Sequence, residues 1–132
     1  MNTFNLQIVT PDGECFSGEA ESLLVRTDTG DVEILAGHSD YIAPLGTGRA
    51  RIKTGGTLRY ASASSGILTV TRGRVKLAAV TFEFAEDIDL ERAKWARARA
   101  EEAIKKAEDK RELSLAKARL LRALARIEAG SK

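Results

Sequence analysis

RVKLAAVTFEFAEDIDLERAKWARARAEEAIKKA, residues 74–107, changes grammar in its middle. In Arg74-Val75-Lys76-Leu77, polar and apolar side chains interleave with a period near two, which lays one face of a strand on a core. Beyond residue 85 the repeat lengthens. Ala93, Ala96, Ala100, Ala103 and Ala107 stand three and four residues apart, the spacing of a single helix face. The chain therefore divides into residues 1–84, read as sheet, and residues 85–132, read as helix.

Toward the N-terminus the sheet signal persists. Residues 1–84 hold 10 of the 11 glycines, both prolines and 21 Val, Ile and Thr, whereas residues 85–132 keep only Ile88, Ile104 and Ile127 of the β-branched types. Branched side chains suit pleated strands. Strand-like runs occur at residues 4–9, 22–27, 31–35, 49–53, 58–63, 67–71 and 74–80. Between them Pro11-Asp12-Gly13, Asp28-Thr29-Gly30, Thr54-Gly55-Gly56 and Arg72-Gly73 supply tight-turn chemistry. Short, evenly spaced strands predict an antiparallel β-sandwich or flattened barrel.

Toward the C-terminus, Leu113, Ala116, Leu120, Ala123 and Ile127 repeat the spacing of three and four. Glu108-Asp109-Lys110-Arg111-Glu112 lies between the two apolar series and reads as a charged bridge. The whole is an α+β chain: a sandwich followed by an antiparallel two-helix hairpin, with Asp87 and Asp89 at the first helix start and Gly130 at the second helix stop. An alanine seam buries little surface per residue, so the hairpin is marginal by itself. A second strip, Leu121, Leu124 and Ala125, needs another surface, either the sandwich or a partner. Periodicity fits a permanently packed hairpin and a moving one alike.

Charge is balanced overall, 21 Lys and Arg against 19 Asp and Glu, which argues against a general electrostatic binder of nucleic acid. It is uneven along the chain. Near the end, Lys117, Arg119, Arg122, Arg126 and Lys132 face only Glu128, a basic amphipathic helix suited to an acidic partner or phosphate, or else a solvated face. A lone cysteine, Cys15, allows no internal disulfide, and the start MNTFNLQIV has no basic leader followed by an apolar run. With a single histidine, His38, a zinc site or a Ser-His-Asp triad has few residues to build on. No Gly-rich phosphate loop is present.

On this architecture several segments become recognisable. Val9-Thr10-Pro11-Asp12-Gly13 with Gly18-Glu19-Ala20-Glu21, then Gly30-Asp31-Val32-Glu33-Ile34-Leu35-Ala36-Gly37-His38 with Leu45 and Gly48, then Gly66-Ile67-Leu68-Thr69-Val70 with Val75, and finally Ile88-Asp89-Leu90-Glu91-Arg92-Ala93 follow one order. The chain resembles the epsilon subunit of bacterial F-type ATP synthases, nearly end to end. Ala36 stands where many members have proline, and Ser39-Asp40-Tyr41 replaces a common small-residue and proline sequence.

The resemblance implies a non-catalytic rotor subunit on the central stalk. It would contact the gamma subunit and the c-ring through a surface including Asp31, Val32, Glu33, His38 and Tyr41. The hairpin would fold on the sandwich or extend toward the catalytic beta and alpha subunits and brake ATP hydrolysis, the basic helix carrying Lys117, Arg119, Arg122 and Arg126 meeting an acidic region of beta. Membrane association would come only through the complex, at the cytoplasmic face, with no nucleic acid partner. No cofactor or metal is implied, but ATP is implied as a regulatory ligand, at Glu83, Ile88, Asp89, Arg92, Ala93, Arg122 and Arg126. Arg122 and Arg126 stand four apart on one face, so their guanidiniums can converge on phosphates, and Glu83 or Asp89 can accept from an adenine amino group or ribose hydroxyl. The plainer alternatives are Asp89 as a helix cap and Arg92 paired with Glu91 or Glu86. A stand-alone nucleotide-sensing or nucleic-acid-binding module, with residues 113–132 on phosphates, is the competing class.

Overall fold

The computed structural model describes residues 2–131, so Met1 and Lys132, the latter counted with the basic terminal residues, lie outside the described residues. Eight strands come first: β1 (Phe4–Thr10), β2 (Gly13–Ala20), β3 (Ser22–Thr27), β4 (Gly30–Leu35), β5 (Tyr41–Pro44), β6 (Gly48–Thr54), β7 (Thr57–Thr71) and β8 (Arg74–Phe84). They are ordered β2-β1-β8-β7-β6-β3-β4, with β5 added on β7. The first half of β7 pairs with β6 and its second half with β5, while β8 follows it along nearly its whole length. The sheet thus folds over near the middle of β7 and closes on one core, the sandwich read from the sequence.

The fold-over has a local cause. Ser65 and Gly66 take φ of 57° and 119°, and a Cβ on Gly66 would lie 1.9 Å from the Ala78 carbonyl oxygen. Only glycine lets β8 pass so close. The Ser64-Ser65-Gly66 stretch therefore kinks one strand instead of separating the two expected at residues 58–63 and 67–71. Leu6, Ile8, Leu23, Ile34, Ile52, Leu68 and Leu77 fill the interior, fully buried, from alternate positions of their strands.

Two strands were not among the expected runs. β2, GECFSGEA, pairs with β1 alone and buries only Ala20, so apolar alternation is weak at this edge. β5 is four residues long and ends in Pro44. One pair departs from antiparallel order: β1 runs parallel to β8, which places the first and last strands side by side.

A 3₁₀ turn, Ala85–Asp87, leads to α1 (Leu90–Lys106) and α2 (Lys110–Gly130). Asp89 caps α1 through a hydrogen bond accepted from Arg92 N, 3.1 Å. α2 begins inside the stretch expected to be a bridge. Asp109 accepts from Glu112 N at 2.8 Å while the Glu112 carboxylate accepts from Glu108 N at 3.0 Å, so the charged residues start the helix. Ala93 and Ala100 of α1, and Ala116 and Ala123 of α2, are buried along the seam. α2 also packs on β6 and β7, so the hairpin is folded against the sandwich.

The second apolar strip splits: Ala125 is buried, as is Ala129 one turn beyond the strip, whereas Leu121 and Leu124 stay 54% and 38% exposed. Gly130 is the last residue of α2, not the residue beyond it, and a Cβ there would meet Leu90 Cδ2 at 2.8 Å. Close packing of the two helix ends accounts for this glycine. Among the described residues no helix is long and apolar enough to cross a membrane.

Candidate functional site

Where the sandwich gives way to the hairpin, three parts of the chain meet. The end of β8 brings Glu83, the following turn and the start of α1 bring Asp87, Ile88, Asp89, Arg92 and Ala93, and α2 brings Arg126; together they line a cavity of about 270 Å³. Arg126 Nε donates to Glu83 Oε1 at 3.1 Å across it. Asp89 lines the cavity and also caps α1, the plainer of its two sequence readings.

The neighbouring acid of the turn, Glu86, is not among the residues lining this cavity. Glu86 pairs with Arg59 at 2.5 Å, and the Arg59 guanidinium lies 3.7 Å over the Phe84 ring. The hydrogen bond from Arg59, then the backbone bond and the Arg59 charge, hold the Glu86 carboxyl below its usual range. Glu91 lies 3.8 Å from Lys94. Neither expected partner is therefore on Arg92, which makes no ion pair among the described residues.

A second cavity, about 300 Å³, follows the seam between the helices. Its floor is alanine, and its walls are Arg99, Arg119, Arg122 and Arg126. Arg122 thus sits beside the hinge cavity instead of in it, and Arg126 belongs to both. Of the basic helix residues, Arg119, Arg122 and Arg126 face this seam; Lys117 is exposed elsewhere, beside Lys110 and Ser114. Sequence reading missed Asp87 as a lining residue, and Arg99. Arg99 follows Arg92 by seven residues, two helical turns, which was the signal available.

The last turns of α2 are also tied to the sandwich. Arg49 Nε stands 3.4 Å from Glu128 Oε1, and its guanidinium lies 5.0 Å over the Tyr60 ring. Of the five residues expected to face a stalk, Asp31 accepts from Arg26 at 2.7 Å and raises the Arg26 pKa through that hydrogen bond. Glu33 accepts from Arg51 at 2.8 Å, and Val32 is half-buried. His38 Nδ1 lies 2.7 Å from the Ser39 carbonyl, with its ring edge-on to Tyr41 at 5.7 Å. These five are spread over β4, the loop after it and the start of β5. Among the described residues, no three of His, Cys, Asp and Glu are grouped to hold a metal ion.

A sandwich followed by a helix pair packed against it defines a known class. Residues 3–85 match the family described as ATP synthase, Delta/Epsilon chain, beta-sandwich domain, and residues 86–130 match ATP synthase, Delta/Epsilon chain, long alpha-helix domain. The chain belongs to the Delta/Epsilon-chain family of ATP synthases. It is 39% identical to the ATP synthase epsilon chain of Bacillus velezensis, over 97% of each chain. To that of Ruminococcus albus it is 35% identical, over 100% of this chain and 99% of the other. A chain of the Euglena gracilis mitochondrial ATP synthase superposes with a TM-score of 0.85 at 21% identity, covering 100% of this chain and 83% of that one. A chain of the Tetrahymena thermophila mitochondrial ATP synthase central stalk and c-ring gives 0.71 at 11% identity, covering 96% and 95%. The family expected from the sequence and the fold expected from it both hold.

Proposed function

We propose that this chain is the epsilon-type rotor subunit of a rotary ATP synthase, without catalytic activity of its own, and that its hairpin governs ATP hydrolysis by folding on the sandwich or extending. Its partners are then the gamma subunit, the c-ring and the catalytic beta and alpha subunits. It reaches the cytoplasmic face of the membrane through that complex. In the extended state, Arg119, Arg122 and Arg126 leave the seam and join Lys117 toward an acidic partner surface.

ATP is the ligand proposed to hold the folded state. What supports this is the convergence of six residues, Glu83, Ile88, Asp89, Arg92, Ala93 and Arg126, on one cavity whose walls come from the sandwich and both helices. Arg126 leaves this cavity when α2 leaves, so a ligand that contacts it favours folding by its differential affinity for the two states. The residue set fits a nucleotide. Carboxylates accept from amino and hydroxyl groups, Ala93 leaves room for a base, and Arg126 leads to Arg122 and the acid-free seam where phosphates are favoured.

Calorimetric titration of the full chain with ATP, repeated with Arg92→Ala and Arg122→Ala, tests the proposal. Saturable binding weakened at least about tenfold by each change is expected, equivalent to about 1.4 kcal/mol. Absence of binding at millimolar ATP would overturn the ligand proposal and leave contacts with the stalk and catalytic head to set the hairpin.

A further inference from the structure

Among the described residues, two that are not glycine take a positive φ, Ser65 at 57° and Arg72 at 50°. The fold-over of β7 accounts for the first. Arg72 lies in the two-residue turn between β7 and β8, closed by the Thr71–Arg74 pair, with Gly73 also positive at 77°. Asparagine or glycine takes the first place of such a turn readily, whereas arginine takes it at a cost. The strained residue is held from outside the turn: Arg72 N donates to Asp40 Oδ1 at 2.9 Å, across 32 residues of sequence. Backbone strain that the surroundings impose marks positions where function keeps the residue.

What arginine adds at this turn is its side chain. Arg72 is exposed, and among the described residues its guanidinium makes no ion pair. The two strands that it joins carry an open apolar face. Ile42 lies opposite Thr69, Ile67 lies opposite Ala78, and Val80 follows two residues on; all three are exposed on the outer side of the layer whose inner side buries Leu68, Val70 and Leu77. The loop that supplies Asp40 also supplies His38, edge-on to Tyr41. An apolar centre with an arginine beside it is the make-up of a contact between folded chains, and a single guanidinium locked in one place reads one group, not a diffuse lipid charge. A membrane-embedded ring presents mainly short loops to water, too narrow for a face of this width.

We infer that Arg72 is a docking residue, its guanidinium pairing with a carboxylate of the gamma subunit at the rim of the apolar face, and that Asp40 is the positioning residue that holds the strained turn for it. Such docking presupposes the rotor role proposed above.

Docking of the full chain on purified gamma subunit, alone and joined to the c-ring, tests this by interferometry over a salt series. Arg72→Asn should leave the denaturant midpoint unchanged or higher, because asparagine accepts the left-handed turn, yet weaken docking at least about fivefold and lessen its salt dependence. Asp40→Asn keeps an acceptor oxygen for Arg72 N and should dock as the unaltered chain does, while Asp40→Ala should weaken docking and raise amide exchange in the turn and in residues 37–41. Lys53→Gln, which removes one charge from β6 in the opposite layer, should have no effect. Docking that is retained in Arg72→Asn, lost only together with stability, or reduced equally in Lys53→Gln would overturn the inference and leave Arg72 a turn residue or part of a diffuse charge. An Arg72 effect seen only with the c-ring present overturns the assignment to gamma. If the unaltered chain docks on neither, the rotor reading falls and this inference with it; docking that Arg72→Asn leaves intact sinks this inference alone.

Discussion

Glu83, near the end of β8, accepts a hydrogen bond at 3.1 Å from Arg126, which lies 43 residues further on in α2. The pair ties α2 to β8, while a separate pair, Arg59 with Glu86, ties β7 to the turn before α1. Both residues of the Glu83 pair are about 40% exposed, so it is a weak latch. Its worth is about 0.2–1 kcal/mol, small enough for an anion at Arg126 to compete with the carboxylate.

Arg126→Ala should therefore loosen the docked hairpin without unfolding the sandwich. Amide exchange in α2, relative to that in β7, is expected to rise by up to about fivefold, the equivalent of 1 kcal/mol at most. Unchanged exchange would show that docking rests on the burial of Ala125 and Ala129 and on the Arg49–Glu128 pair.

Asp89 serves two purposes that substitutions can separate. Asparagine caps a helix as well as aspartate does, so Asp89→Asn should leave stability within about 0.5 kcal/mol, while Asp89→Ala should cost about 1 kcal/mol. Thermal unfolding reads this difference. If the carboxylate also contacts a ligand, both variants weaken ATP binding, and a fully retained affinity in Asp89→Asn would confine the residue to capping.

Acid should act on the hinge through Glu86. Its folded pKa lies below the unfolded value because Arg59 donates to its carboxylate. The stabilisation is consequently present above the ordinary glutamate value of about 4.3 and is lost as pH falls through the lower, folded value. Glu86→Gln should flatten that part of the acid dependence and change stability little at neutral pH, since the pair is partly exposed to solvent. Thermal unfolding midpoints of the two proteins, measured from about pH 3 to pH 7, should converge toward the acid end.

The two-part architecture was legible because its signals are local: alternation in β8, alanine spacing in α1, a capping aspartate at residue 89. β2 and β5 were not, because an edge strand and a four-residue strand bury too few side chains to leave a pattern. The start of α2 was obscured because charge reads as exposure, whereas Asp109 and Glu112 use their charge to satisfy backbone donors. At the site, family resemblance placed Glu83, the residues of the α1 motif and Arg126, which do converge. Arg99 and Arg119 were left aside or assigned elsewhere, since only the folded hairpin sets α1 against α2 and reveals a shared cavity.

Gly66 offers the sharpest test of how the sandwich closes. Its φ of 119° is one that side chains rarely adopt, and an alanine Cβ would overlap the Ala78 carbonyl oxygen at 1.9 Å. The obstacle is backbone, which cannot rotate away, so β7 and β8 would have to separate where the sheet folds over. Gly66→Ala should destabilise the protein by about 2–4 kcal/mol, within the range of the severe single-residue mechanisms. Gly30→Ala is the control: Gly30 has nearly the same φ, 127°, but an open surrounding, and should cost about 1–2 kcal/mol. Denaturant unfolding of both variants decides it. Equal losses would mean that backbone conformation alone, and not the close passage of β8, sets the requirement for glycine at the fold-over.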